Sequence, residues 1–153
     1  MMPPQRVRLP DVRVGFTHSF EIMASKGPTK FELTCNCYPD YTLGEFFLRV
    51  GKEGSLIKST LDGHAISVSI GLQHGVPLHV YTSKMRYTQF DPAGMVVGMP
   101  KAMHSEVADH FFKSPFDYVA AYLDWKFPDG KLRAEDRAAP TLPEKGSVNG
   151  KEG

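Results

Sequence analysis

Apolar and polar residues alternate with a period of two in three successive stretches of the first fifty residues, and this pattern predicts three strands. In the first, Phe16, His18, Phe20 and Ile22 share one parity, with Thr17, Ser19 and Glu21 on the other. The segment SKGP, Ser25 to Pro28, reads as a hairpin-like turn. It leads into a strand around Lys30 to Cys37 whose Phe31, Leu33 and Cys35 point inward. Pro39 and Asp40 signal a second turn before a third strand over Leu43 to Val50. Short turns between consecutive strands make an antiparallel meander the economical arrangement.

The period changes after GKEG, Gly51 to Gly54, whose glycines permit a tight passage from strand to helix. A long helix is expected from Ser55 to His74, with Ile57, Leu61, Ile66, Val68, Ile70 and Leu72 as its apolar surface and Ala65 allowing close approach. Ser55 or Ser59 would cap it, and Ser59 with Asp62 has the spacing of a capping box. Gly71 and Gly75 mark its end, and Pro77 opens a second helix over roughly Leu78 to Met85. Arg86 to Phe90 then reads as a polar and aromatic strand, the fourth, ended by Asp91, Pro92 and Gly94. Met95 to Pro100 is expected to be a connector. A further helix is expected near Ser105, with Val107, Ala108, Phe111 and Phe112 in an irregular helical segment. Ser114 and Pro115 form a cap and first-turn pair for a last helix with the stripe Phe116, Val119, Ala120, Leu123 and Phe127, beside which Trp125 adds to the packing or to an interface. The fold class expected is α+β: an antiparallel sheet of three or four strands packed against a long helix, with one or two further C-terminal helices.

A chain of 153 residues, 41% hydrophobic, is of single-domain size. Residues 1–14, with Pro3, Pro4 and Pro10, are expected to be an extended arm, 15–127 the domain, and the Pro- and Gly-containing 128–153 a flexible tail. Eighteen Lys and Arg against seventeen Asp and Glu leave a net charge of +1, which argues against strong nonspecific nucleic-acid binding. No apolar run reaches membrane-spanning length, and the opening MMPPQRVRLPDV has no apolar signal core, so the expectation is a cytoplasmic protein with no membrane partner.

Four groups of residues carry chemistry beyond packing. Cys35 and Cys37 share one face of a strand, too far apart for an easy disulfide, and are weak candidates for metal ligands because two thiols cannot complete a site alone. Lys52 and Glu53, between Gly51 and Gly54, sit where exposed amides before a helix can hold phosphate, although the Walker pattern is absent and a purely structural turn is the plainer reading. Arg86, Thr88 and Phe90 form the third group: the guanidinium can fork onto a carboxylate or phosphate, or lie along the domain while Phe90 plugs its edge. His18, His74 and Asp40 would support an enzyme of unknown reaction only if the fold brought them together.

Several segments together resemble one family. LPDVRVGFTHSFEI, GEFFLRVGKEGS, AISVSIGLQHGVPL, RYTQFDPAG and SPFDYVAAYLDWKF are similar to successive stretches near the C-terminus of the vitamin B12 (adenosylcobalamin)-dependent ribonucleotide reductases, a region containing the TSCPD domain. The similarity runs from about Leu9 to Phe127. The resemblance implies a link to ribonucleotide reduction. In that family the complete enzyme supplies adenosylcobalamin, a thiyl cysteine and a redox cysteine pair on a much larger barrel, and neither Cys35 nor Cys37 lies where those cysteines occur. It therefore implies a standalone accessory or regulatory domain without cofactor or catalytic residues of its own, binding a nucleotide or a reductase protein through Lys52, Glu53, Arg86, Thr88 and Phe90. A small enzyme and a homo-oligomeric interaction module, dimeric through a surface that includes Phe46 or Phe47, are the alternatives.

Overall fold

Cross-strand neighbours on one face are mostly apolar in all three strands of the meander, and this fixes its register. In the computed structural model, which describes residues 2 and 4–137, β1 (Val14–Ala24), β2 (Gly27–Cys37) and β3 (Leu43–Val50) pair antiparallel in chain order. Phe20 lies opposite Phe31 and Phe31 opposite Val50, while Leu33 lies opposite Leu48 and Cys35 opposite Phe46. Ala24 pairs with Gly27, so Ser25 and Lys26 form a two-residue hairpin loop, and Gly27 takes φ +113°. In the next turn Asp40 Oδ1 accepts from the Thr42 amide at 3.0 Å and Tyr41 adopts φ +70°.

α1 (Ser55–Gln73) packs on β3 with Leu61, Ala65 and Val68 buried. Its contact face differs from the apolar surface expected. Ile66 and Ile70 are exposed, because at 100° per residue they fall off the row through Leu61, Ala65, Val68 and Leu72. Ser69 and Gln73 take that row instead. The Ser69 hydroxyl accepts from the Phe46 amide at 3.0 Å and lies 3.2 Å from the Phe46 carbonyl, and Gln73 Nε2 donates to Gly44 O at 3.1 Å. Neither Ser55 nor Ser59 caps the helix: Gly54 is the N-cap, with no side-chain bond to the first turn. The other end is a Schellman motif in which the Val76 amide reaches Gly71 O, the Gly75 amide reaches Leu72 O, and Gly75 takes φ +90°.

α2 (Leu78–Met85) follows Pro77 as expected, but Arg86 to Phe90 is no strand. Tyr87 turns the chain at φ +64°, which breaks the alternation its composition suggests. The fourth strand is β4 (Gly94–Val97), within the expected connector, paired to β1. α3 (Lys101–Glu106) starts four residues ahead of Ser105, directly after Pro100. Phe111–Phe112 is a two-residue β5 paired to β4 and not a helical segment. The sheet is thus five-stranded and antiparallel, in the order β3-β2-β1-β4-β5.

α4 (Pro115–Lys126) closes the core over β1. Ser114 is its N-cap, accepting from the Asp117 amide at 3.0 Å, and Pro115 occupies the first turn. The stripe is wider than expected, since Asp117, Tyr118, Ala121 and Tyr122 are also buried. Trp125, half-buried, donates to Glu106. Residues 128–137 continue the packing: Leu132 is buried and its amide donates to Tyr41 O at 3.0 Å. The rest of the segment expected to be a flexible tail, 138–153, lies outside the described residues. In the N-terminal arm the Val7 amide donates to Gln73 O at 2.8 Å and Leu9 is buried.

Candidate functional site

RYTQFDP gains its meaning from a single buried carboxylate thirty residues on. Asp117 Oδ1 accepts from the Arg86 guanidinium and from the Tyr87 amide at 2.8 Å, and Oδ2 accepts from the Lys113 amide at 2.9 Å. The Ser114 hydroxyl donates to Thr88 O at 2.5 Å, and the Phe90 amide donates to Lys113 O at 3.1 Å. Arg86 also reaches Asp109 at 3.4 Å and stacks over the Tyr87 ring at 4.4 Å. Of the two sequence readings for Arg86, the geometry realises the carboxylate contact, through one nitrogen to Asp117 and the other to Asp109, and both carboxylates belong to the chain itself. Thr88 turns its own hydroxyl to Lys84 O at 3.2 Å, and Phe90 sets its ring edge-on to Phe116 at 5.0 Å. These residues clasp α2 to α4.

Lys52 and Glu53 lie apart from this clasp, at the start of α1. Lys52 is exposed at φ +51°. Glu53 is half-buried and lines a depression with the β1–β2 hairpin, Ile57 and Asp91 to Ala93. With Gly54 as N-cap, the first-turn amides of α1 carry no side-chain acceptor, and there is no acidic residue in that turn. The sequence-predicted residues therefore fall into two places: Arg86, Thr88 and Phe90 in the clasp, Lys52 and Glu53 at the helix entrance.

His18, His74 and Asp40 do not converge. His18 Nε2 is 2.8 Å from the Tyr118 hydroxyl, its ring stacked on Tyr122 with centroids 4.4 Å apart. Burial, with Lys126 nearby, lowers its pKa to about 4, so the ring is neutral near pH 7. Burial likewise raises both tyrosines above their ordinary range. His74 Nδ1 bonds its own helix at Ile70 O, 2.9 Å away, and Asp40 is held below the ordinary carboxylate range by its bonds to Thr42. His74 and Asp40 do share the wall of one cleft, with Tyr38, Leu72 and the N-terminal arm. Beyond Thr42 and Gly75 lies a second cleft of about 440 Å³, floored by Leu43, Leu78 and Phe127 and edged by His79, Asp124 and Asp129. Composition gave no sign of it, because its walls come from three distant turns.

Cys35 and Cys37 are free thiols in the sheet's buried face. Burial raises Cys35 well above its ordinary pKa and, with Asp40, raises Cys37 to about 11. A metal ligand must be a thiolate, so this setting disfavours them as ligands.

The model of the TSCPD domain matches residues 5–126. A vitamin B12-dependent ribonucleotide reductase of Streptomyces coelicolor is 42% identical over 110 residues, which is 72% of this chain and 11% of that protein. One from Rhodopirellula baltica is 38% identical over 128 residues, 83% of this chain and 11% of the relative. One from Streptantibioticus cattleyicolor is 41% identical over 110 residues, 72% of this chain and 18% of the relative. The chain thus matches only a small part of each relative, and no solved structure matches it.

Proposed function

The chain belongs to the TSCPD domain family, homologous to the C-terminal region of the vitamin B12-dependent ribonucleotide reductases, and from that premise we propose that it serves ribonucleotide reduction as a cytoplasmic accessory or regulatory domain that binds a nucleotide. The observation that carries the tie to ribonucleotide reduction is the match of the TSCPD domain to residues 5–126, with 42% identity over 110 residues to the Streptomyces coelicolor protein, of which the chain spans 11%. The side chains add to it. Arg86 is spent on Asp117, His18 on Tyr118, and both cysteines are held as thiols, so none of them is poised to attack or protonate a substrate.

The entrance to α1 has unspent polar capacity. Its first-turn amides lack a side-chain acceptor, and Lys52 stands exposed one turn before them. A nucleotide phosphate is the ligand such amides and an ammonium group would take together. Two measurements test the reading. The purified chain supplied with adenosylcobalamin and reductant should reduce no ribonucleotide, and ribo- or deoxyribonucleotides should raise its melting temperature. Turnover by the chain alone would overturn the noncatalytic assignment, and melting curves unmoved by every nucleotide would overturn the binding one.

A further inference from the structure

We propose that the cleft between the α1–α2 junction and the end of α4 binds a small organic cation, an ammonium or guanidinium group carried on a compact apolar body. Its volume, about 440 Å³, lies within the roughly 300–1,000 Å³ that small-molecule sites span. The LQHGVPL stretch supplies much of the wall, through Leu72, Gly75, Val76, Pro77 and Leu78. Backbone bonds hold each side in place. Gly75 closes the Schellman turn that ends α1, and Pro77 is the N-cap of α2. Thr42 bridges to Lys131, and the Gly130 amide donates to Phe127 O at 2.9 Å. The cleft is therefore formed before a ligand arrives, and binding orders little of the chain.

Charge selects the ligand. Above the apolar floor of Leu43, Leu78 and Phe127 stand two carboxylates, Asp124 and Asp129, with His79 on the same edge. No lysine or arginine lines the cleft, and Lys126, close by on α4, is held by Asp136 at 3.0 Å. Asp124 and Asp129 are exposed, and among the described residues neither belongs to an ion pair. Asp129 takes φ +55°, a left-handed conformation uncommon outside glycine, and lines the cleft from there. A phosphate would meet like charge here, so this site is separate from the α1 entrance and does not rest on the nucleotide reading. A metal ion does not fit either, because among the described residues no three His, Cys, Asp or Glu side chains gather closely enough to hold one. An amine on an apolar body meets both demands, its body on the floor and its charge at the two aspartates.

Nuclear magnetic resonance titration of the isotope-labelled full chain tests this, with phenethylamine and agmatine as probes and phenylacetate as a control of similar body and opposite charge. At least one amine should give saturable shifts centred on the amides of Gly75, His79 and Gly130, and phenylacetate should give none there. Asp124→Asn and Asp129→Asn, both at exposed positions, should leave the rest of the spectrum unchanged and each weaken amine binding about two- to fivefold. Asparagine, like aspartate, tolerates the left-handed backbone at position 129. Shifts with neither amine, equal binding of phenylacetate, shifts that map to another face, or an affinity unchanged in both variants would each overturn the proposal.

Discussion

Asp117 receives the guanidinium of Arg86 and the backbone amide of the very next residue, Tyr87, on the same carboxylate oxygen. One buried side chain in the first turn of α4 thereby sets both the direction of the chain leaving α2 and the rotamer of the arginine that follows it. The RYTQFDP motif is thus a structural clasp between α2 and α4.

That clasp makes a stability prediction. Asp117→Ala strands two buried amides and the Arg86 charge, and should lower unfolding free energy by about 3–5 kcal/mol. Arg86→Ala leaves both amide bonds in place and should cost about 1–2 kcal/mol. Urea unfolding of the two variants checks the order, and equal losses would mean the amides contribute nothing.

A second prediction concerns pH. The His18 pKa is about 4 in the folded protein, below its ordinary value of 6.5, so the unfolded chain binds the extra proton first. The stability His18 contributes is full above pH 6.5 and declines as pH falls toward 4, by up to about 2–3 kcal/mol. His64, also lowered by burial and with its Nε2 unpartnered, acts in the same direction. Unfolding measured from pH 7 to pH 4 should show this slope, and His18→Gln should flatten it.

The third prediction tests the added strands. A Cβ on Gly94 would stand 2.2 Å from Met23 O, inside the β1–β4 pairing. Gly94→Ala should release β4 and β5, seen as rapid amide exchange at Met95 and Val97, with β1–β3 still protected. Protection of β4 as in the wild type would refute this.

Fourth, the thiols should be inert in the folded state. With Cys35 raised well above the ordinary range and Cys37 at about 11, iodoacetamide at pH 8 should label neither in native protein and both in urea.

How much of this could be read from the sequence varied with how local the cause was. The third strand, the α2 helix and the Ser114–Pro115 start of α4 follow from neighbouring residues alone, through alternation, a proline and a hydroxyl cap. Arg86 to Phe90 could not be read that way, because its backbone is fixed by an acid thirty residues later whose sequence position suggests only a first-turn charge. β5 is two residues long, too short to show any period. Ser69 and Gln73 carry no signal in the sequence, because their burial depends on carbonyls and amides of β3 that composition does not reveal. For the proposed binding site, Lys52 and Glu53 stand out by the glycines around them, whereas the two clefts beside Gly75 arise only when distant turns meet.

The measurement that bears most directly on the proposed role is titration calorimetry of the purified chain with a panel of ribo- and deoxyribonucleotides under reducing conditions, repeated on Lys52→Ala. The account predicts saturable binding of at least one nucleotide to the native chain, and a fall in affinity of about tenfold, equivalent to about 1.4 kcal/mol, when the exposed ammonium at the entrance to α1 is removed. No heat with any nucleotide, or an affinity unchanged by the substitution, would contradict it.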